Sequence, residues 1–176
     1  FLLKNNYWVI RLGQSNRKFK INHKKFIDYP STIVRDDCLD LYLIKNCKFM
    51  ICSVSGLSSI AMLFNKPILL TDNTRPFQFR SSNKFSRIIF KRPFWKKTKK
   101  FISLKTYLKL PYFYHHLNYL DNEIGYRGNT SEEIYRATKE FLYSMKNKSN
   151  NKLNRLQTNF NKFLFNSLKE HYYSRS

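Results

Sequence analysis

A turn rich in serine and glycine, between two apolar segments, is the part of this sequence best suited to binding chemistry. It consists of Ser53-Val54-Ser55-Gly56-Leu57. Backbone amides at such a turn, together with the positive end of the helix that follows, can hold a phosphate group. The turn therefore predicts an anion-binding site. Because serine is an ordinary N-cap and glycine an ordinary turn residue, purely structural roles for Ser55 and Gly56 are an alternative.

The segments around this turn predict an α/β fold with a parallel sheet. A helix is expected to begin at Asp36 or Asp37. Its apolar face repeats at spacings of three and four residues: Leu39, Tyr42, Leu43, Cys47. Short apolar runs at 48–52 and 67–71 are typical of buried parallel strands, and 57–64 predicts the helix between them. Ligands of such sheets bind outside the carboxyl ends of the strands, so we expect the site there.

The rest of the chain supplies further elements of the same fold class. Strands are expected at 7–12 and 88–90, and a short element ending in a turn at 26–32. Thr130 and Glu133 have the spacing of a capping box, which predicts the start of a helix. Residues 151–172 predict a long last helix with near-heptad apolar spacing. We therefore divide the chain into an α/β domain, 1–146, and a C-terminal helical extension, 147–176.

Several classes of site find no support in the sequence. It has no GxGxxG or Walker pattern, so it does not predict classical dinucleotide binding or P-loop binding. Cys38, Cys47 and Cys52 are odd in number and lack CxxC spacing, so we expect small buried hydrophobic residues rather than a disulfide framework or a zinc site. The pair His115-His116 shows no metal-ligand spacing either. No metal and no cofactor are expected.

The charge of the chain indicates a polyanionic partner. The formal net charge is +22, and Lys91–Lys100 forms the densest basic patch, with aromatic residues interleaved. Such a patch could stack nucleic-acid bases or lie on an anionic lipid surface. As a solvated loop between elements it would do neither. Because AT-rich codons favour Lys, Asn, Phe, Tyr and Ile, charge alone does not decide the function.

The order of these motifs resembles a family of bacterial glycosyltransferases with a GT-B-like nucleotide-sugar domain, found in surface-polysaccharide gene clusters. The resemblance runs from about Tyr7 to Phe141, most of the chain. It rests on these motifs: Trp8-Val9-Ile10-Arg11-Leu12-Gly13, Asp28-Tyr29, Asp40-Leu41-Tyr42-Leu43, Cys47-Lys48-Phe49-Met50-Ile51, Ser55-Gly56-Leu57, Phe64-Asn65-Lys66-Pro67 and Thr71-Asp72-Asn73. It implies a Rossmann-like parallel sheet with flanking helices, the C-terminal half of a GT-B fold.

The resemblance also implies an activity and a set of donor-binding residues. The enzyme would transfer a sugar from a nucleotide-sugar to a hydroxyl acceptor, glycan or lipid-linked, without a metal at the diphosphate. The implied donor-binding residues are Arg11, Gly13, Ser53, Ser55, Gly56, Leu57 and Asn73. Arg11 would neutralise phosphate, since a guanidinium binds phosphate oxygens in a bidentate manner. Ser53 and the turn would cradle the diphosphate, and Asn73 would bond the sugar or ribose.

Other interpretations of the same residues stay open at this point. Arg11 could instead pair with Asp28 or Asp40, and Asn73 could be an ordinary turn residue. The sequence names no catalytic base. If the acceptor-binding half lies upstream, we expect this chain to be an inactive fragment by itself. The competing functions are a basic nucleic-acid-binding module and an inactive glycosyltransferase remnant.

The hydrophobic pattern bears on location. No apolar run approaches the roughly 20 residues that span a bilayer, and the first residues lack the features of a signal peptide. We therefore expect a cytoplasmic protein, with the inner face of the cytoplasmic membrane as a candidate contact through its basic surface.

Overall fold

The fold is α/β, with parallel strands flanked by helices. The computed structural model describes residues 1–14, 18–74, 81–108, 110, 123–147 and 155–173. The strands are β1 (Val9–Arg11), β2 (Phe26–Asp28), β3 (Met50–Cys52), β4 (Ile68–Asn73), β5 (Arg87–Phe90), β6 (Arg92–Trp95) and β7 (Ile124–Arg127). The helices are α1 (Asp37–Asn46), α2 (Gly56–Leu63), α3 (Leu104–Leu108), α4 (Ser131–Lys146) and α5 (Arg155–Tyr173).

The central sheet has three parallel strands in the order β3-β4-β5. β4 lies in the middle and is buried along most of its length, as a parallel strand covered on both faces should be. Leu69 packs with Phe141 and Leu142 of α4 on one face. Ile68 and Leu70 alternate to the other face, where they pack with residues of α1 and α2. The sheet is therefore small but covered by helices on both sides.

A second parallel pair, β1 and β2, lies beside β3 without a hydrogen-bonded ladder to it. Tyr7, just before β1, contacts the ring of Phe49, just before β3, at 5.4 Å between ring centroids. Gly13, after β1, lies against Leu57, after β3. The residues that precede the two strands contact each other, and so do the residues that follow them. β1 and β3 therefore run in the same direction. The strand order β2-β1-β3-β4-β5 is compatible with a Rossmann-like arrangement.

A smaller antiparallel unit is attached at the end of β5. β6 follows β5 after the single residue Lys91 and pairs antiparallel with β7. Ile102, Tyr107 and Ile124 form its core, with Trp95 packed against them. Gly125 lies opposite Phe94, and a Cβ at Gly125 would clash with that ring. Glycine is thus required at this position by the aromatic ring that fills the space.

Most of the predicted elements are confirmed, with bounds shifted by at most four residues. Asp36 caps α1, and its carboxylate accepts from the N–H groups of Cys38 and Leu39. Thr130 and Glu133 form the predicted capping box of α4. The long last helix is α5, and its Phe160 ring lies 5.7 Å from that of Phe90.

Three sequence-based expectations were wrong. The patch Lys91–Lys100 is not only a solvated loop, because Arg92–Trp95 within it is strand β6. Tyr42 does not lie on the buried face of α1: it is 61% exposed, and Ile44 is the buried residue of that helix. Cys38 is exposed rather than buried, although all three cysteines are free as expected.

Two of the sequence features discussed above lie wholly or partly outside the described residues. His115-His116 and residues 148–154, which include part of the polar break before the last helix, fall outside the described residues. Among the residues that are described, no helix is long and apolar enough to cross a bilayer.

Candidate functional site

An open cleft of about 680 Å³ lies at the carboxyl ends of β3, β4 and β5. Its described lining residues are Ser53, Val54, Asp72, Asn73, Thr74, Lys91 and Gly128. Because the three strands are parallel, the segments that leave them meet at this one edge. The volume is in the range of about 300–1,000 Å³ that is usual for small-molecule sites.

The segment after β3 brings a helix start to this edge. Ser53 follows β3 directly and lines the cleft, and Ser55 is the N-cap of α2. The Ser55 hydroxyl accepts from the Ser58 N–H at 3.4 Å, and the Ser58 hydroxyl accepts from the Ser55 N–H at 3.0 Å. The side chain of Ser55 is therefore occupied by the capping box. Apart from its chain neighbours and the backbone of α2, no described residue has an atom within 4 Å of a Cβ built on Gly56, so the space beside it is open.

The end of β4 has an unusual backbone that a single asparagine holds in place. Asp72 has φ +54°, a left-handed conformation that aspartate tolerates better than most residues. Asn129 Oδ1 accepts from the Asp72 N–H at 2.7 Å, and Asp72 Oδ1 accepts from the Asn129 N–H at 2.8 Å. Asn129 Nδ2 also donates to the Phe90 carbonyl at 2.9 Å. This Asp72–Asn129 clasp joins the ends of β4 and β5 to the segment before α4.

The clasp fixes the neighbouring residues of the cleft. Asn73, next to Asp72, is 2% exposed and lines the cleft, and its carbonyl accepts from the Lys91 N–H at 2.9 Å. A Cβ on Gly128 would lie 3.1 Å from Asp72 Oδ1, so a larger residue there would press on the clasp. The backbone positions of Asp72, Asn73 and Lys91 are thus set by hydrogen bonds rather than by a free loop.

An ion-pair cluster behind the cleft anchors the start of α4. Glu133 pairs with Arg127 at 2.7 Å and with Arg92 at 3.3 Å. The Thr130 N–H donates to the same carboxylate at 2.8 Å. This backbone hydrogen bond first, and the Arg127 guanidinium next, lower the pKa of Glu133 to about 2. Glu133 and its two arginine partners are therefore engaged in ion pairs within the fold.

Lys91 differs from these arginines. It lines the cleft directly after β5, and within the described residues it forms no ion pair. Its ammonium group, the amides at the start of α2 and the polar side chains of Asp72 and Asn73 are what the cleft offers a ligand. That combination suits a molecule with both phosphate and hydroxyl groups.

The smaller unit is tied to the same edge by tyrosine hydroxyls. The Tyr107 hydroxyl donates to the Thr74 carbonyl at 3.0 Å and lies 2.9 Å from the Tyr126 hydroxyl. Thr74 itself lines the cleft. The unit formed by β6, β7 and α3 therefore fixes the segment that leaves β4.

The residues that sequence reasoning selected are only partly brought together. Ser53 and Asn73 line the cleft, and Ser55, Gly56 and Leu57 form the helix start next to it. Arg11 is not among the described lining residues. It pairs with Asp28 in a short hydrogen-bonded contact, and its guanidinium lies 4.8 Å from the Phe19 ring centroid.

Gly13 has a backbone reason for its identity. Its φ of +96° lies in the region that favours glycine, and its Cα faces Leu57. The turn after β1 thus packs on the start of α2, as a structural contact.

Sequence reasoning missed Lys91, Asp72 and Asn129 as parts of this site. A signal for Lys91 was present, because it follows the predicted strand 88–90 directly, as Ser53 follows the predicted strand 48–52. Asn129 carried no comparable signal. Its three hydrogen bonds reach residues 39 and 57 positions away, and no local pattern reports such contacts.

The described residues include no group of three or more His, Cys, Asp or Glu side chains that could hold a metal ion. Comparison of the chain with family models, curated proteins and solved structures found no match.

Proposed function

We propose that this chain is the donor-binding half of a glycosyltransferase of GT-B architecture and that it binds a nucleotide-sugar in the cleft. The observation that carries the proposal is the convergence of Ser53, Asn73 and Lys91 at the ends of three neighbouring parallel strands, beside the start of α2. The sequence motifs that resemble bacterial glycosyltransferases include Asn73 and the helix start at Ser55-Gly56-Leu57. The α/β arrangement is compatible with such a domain.

In this proposal the diphosphate lies between Lys91 and the start of α2. The amides of Gly56 and Leu57 are the first of the helix and form no hydrogen bond within the described residues. They and the helix dipole favour negative charge, and the Lys91 ammonium supplies a full positive charge. As the bond to the sugar breaks, the leaving diphosphate gains charge, so these groups stabilise the transition state more than the ground state.

The end of β4 would bind hydroxyl groups. Asp72 and Asn73 line the cleft, and carboxylate or amide oxygens at such a strand end commonly accept hydrogen bonds from a ribose or sugar. Asp72 Oδ1 is already bonded to Asn129, which orients the carboxylate. We assign Asp72 and Asn73 to ligand positioning. The acceptor and the catalytic base are then the task of a second domain.

Arg11 has a smaller part in this scheme than the sequence suggested. Its charge is compensated by Asp28, whereas Lys91 forms no ion pair in the described part of the chain and faces the cleft. We therefore propose Lys91 as the principal phosphate-binding cation.

Calorimetric titration of the purified chain with UDP, GDP and CMP tests the proposal. We expect saturable binding of one nucleotide that persists at moderately high salt. Lys91→Ala should weaken it about 10- to 100-fold, the usual effect of losing a hydrogen bond to a charged group. Lys45→Ala is the matched control, because Lys45 is an exposed lysine on α1, outside the cleft.

Two results would contradict the proposal. One is the absence of mononucleotide binding by the folded protein, and the other is equal affinity in Lys91→Ala and the wild type. Binding of a single-stranded oligonucleotide that collapses with salt, with no mononucleotide preference, would instead support the nucleic-acid-binding alternative.

A further inference from the structure

A tight turn at the tip of β6 carries the densest run of lysines in the described sequence. We call residues 96–100 the basic turn: it contains Lys96, Lys97, Lys99 and Lys100. The Trp95 N–H donates to the Lys100 carbonyl at 3.0 Å, and the Lys99 N–H donates to the Trp95 carbonyl at 2.8 Å. A third bond, from the Lys96 N–H to the Glu123 carbonyl at 2.7 Å, fixes the turn to the segment before β7. The lysines therefore project from a defined turn.

Three of the four lysines in the basic turn have no acidic partner among the described residues. Lys97, Lys99 and Lys100 are exposed and form no ion pair with any described residue. Lys99 Nζ lies 5.9 Å from the Phe94 ring centroid, a contact that leaves the charge in place. Glu123, exposed at the base of the turn, is the acidic residue joined to it. Lys97, Lys99 and Lys100 therefore make the tip of the turn positive.

Exposed apolar side chains flank the basic turn. Phe101, which directly follows it, is 57% exposed, and Leu104 is 38% exposed. Phe94, in contrast, is packed edge-on against Phe101 and fills the space opposite Gly125. The flank therefore offers one exposed aromatic ring and one aliphatic side chain, next to Lys105 of α3.

We propose that the basic turn docks on an anionic phospholipid surface, with its lysines among the head groups and Phe101 inserted at the interface. Clusters of four or more lysines beside apolar side chains are typical of such contacts. A sequence-tolerant nucleic-acid site needs a groove with several exposed aromatic platforms, and here only Phe101 is exposed among the aromatic residues of 94–101. A charged turn that projects from the protein is better suited to a planar membrane surface than to a nucleic-acid strand, which binds in a groove.

This contact goes beyond the proposed function and does not depend on it. If both hold, the geometry has a consequence for the cleft. β6 begins directly after Lys91, and its four residues span roughly 13 Å at the usual rise of a strand. A docked basic turn would hold the cleft near the membrane, where a lipid-linked acceptor is reachable.

Vesicle co-sedimentation tests the proposal. The full chain is mixed with vesicles of phosphatidylcholine alone or with one-third phosphatidylglycerol, at low and at high salt. We expect binding to the anionic vesicles only. The variant Lys97→Gln with Lys99→Asn and Lys100→Gln should bind on the order of 100-fold more weakly, since each lysine near such a surface contributes about fivefold. Asparagine suits position 99, where φ is +57°.

A variant of equal charge separates the basic turn from the net charge. Lys18→Gln with Lys20→Gln and Lys24→Gln removes three exposed lysines elsewhere and should lower binding only a few-fold. Equal losses in the two triple variants would overturn the proposal, as would equal binding to neutral and anionic vesicles. Circular dichroism establishes that both variants are folded.

Two further measurements complete the test. Phe101→Ser should weaken vesicle binding several-fold at every salt concentration, because it removes an apolar rather than an electrostatic contribution. If an oligonucleotide binds in a manner that needs the basic turn while anionic vesicles do not bind, the surface is a nucleic-acid site and the lipid proposal is wrong. The outcome of these vesicle and oligonucleotide measurements does not affect the nucleotide titration. The two proposals are therefore judged separately.

Discussion

At the scale of single residues, the surroundings of a cation decide what it can do. Arg11 and Lys91 both stand at the end of a strand. Arg11 pairs with Asp28 and lies over Phe19, whereas Lys91 lines the cleft. A guanidinium with a carboxylate partner has its charge compensated, and a phosphate would have to compete with that partner. The residue type favours Arg11 for binding phosphate, but the contacts favour Lys91.

The Arg11–Asp28 pair predicts a pH dependence of stability. The hydrogen bond from Arg11 first, then the Phe19 N–H, lower the pKa of Asp28 to about 2. An unfolded aspartate titrates near pH 3.9, so the unfolded state binds more protons between these values. The contribution of Asp28 is therefore complete above about pH 4 and is lost as the pH falls through about 2. Asp28→Asn should lower the urea midpoint at pH 7, and this difference from wild type should shrink between pH 4 and pH 2.

The control for this prediction is Asp37→Asn, at an exposed position in the first turn of α1. It should change the pH profile much less than Asp28→Asn does. A constant difference between wild type and Asp28→Asn over the whole range would show that the ionised carboxylate is not what stabilises the fold.

At the scale of elements, the candidate site depends on how strand ends are joined. The Asp72–Asn129 clasp links the end of β4 to the segment before α4, and Asn129 also reaches the end of β5. The left-handed Asp72 turns the chain so that Asn73 and Thr74 line the cleft. The cleft is thus held in shape by a residue that does not itself line it. Asn129 is a positioning residue.

Asn129→Ala should therefore affect both stability and binding. It removes two side-chain hydrogen bonds, to the Asp72 N–H and the Phe90 carbonyl, in a partly buried place. The expected cost is about 2 kcal/mol in the free energy of unfolding, measured by urea denaturation. Nucleotide affinity should fall as well, because the end of β4 is no longer fixed.

A conservative change at Asp72 provides the comparison. Asp72→Asn keeps an oxygen acceptor for the Asn129 N–H and a residue that tolerates positive φ, so stability should change by less than about 1 kcal/mol. If Asn129→Ala unfolds no more easily than wild type, the clasp does not hold these elements together.

At the scale of the whole molecule, side-chain packing connects two sheets that no ladder joins. The rings of Tyr7, Phe49 and Phe141 contact each other in sequence, at 5.4 and 5.6 Å between centroids, edge to face. They connect the segment before β1 with β3 and with α4. The β1–β2 pair is therefore attached to the central sheet by apolar contacts, which are easier to open than a hydrogen-bonded ladder.

Tyr7→Ala should loosen this attachment locally. Amides of β1 and β2 should exchange with solvent at least tenfold faster in native-state hydrogen exchange, since the ring that anchors them is lost. Amides of β4 should change much less, because β4 is bonded to β3 and β5 on its two sides.

Tyr42→Ala serves as the matched variant, because Tyr42 is 61% exposed on α1. It should leave exchange in β1 and β2 unchanged. A uniform acceleration across all strands in Tyr7→Ala would mean that the two sheets open only together and that β1–β2 is no separate unit.

The local part of the fold could be predicted because its causes are local. Asp36, Ser55 and Thr130 cap helices through contacts within three residues, and the sequence marks each of these starts. The buried strands were recognisable from continuous apolar runs. β6 was not predicted for two reasons. Its sequence begins with Arg92 and Pro93, which are not typical of strands, and it pairs with β7, more than 25 residues away.

By itself, the sequence determined the capped helix starts and the parallel strands of the centre, and it predicts a ligand site at their carboxyl edge. These follow from capping, apolar periodicity and the rule that parallel strands end together. Only the tertiary structure decided which charges stay available there. Arg11 is paired, Glu133 is held by two arginines, and Lys91 faces the cleft. The reason is that ion pairs and the Asp72–Asn129 clasp join residues distant in the chain, and spacing along a sequence carries no record of them.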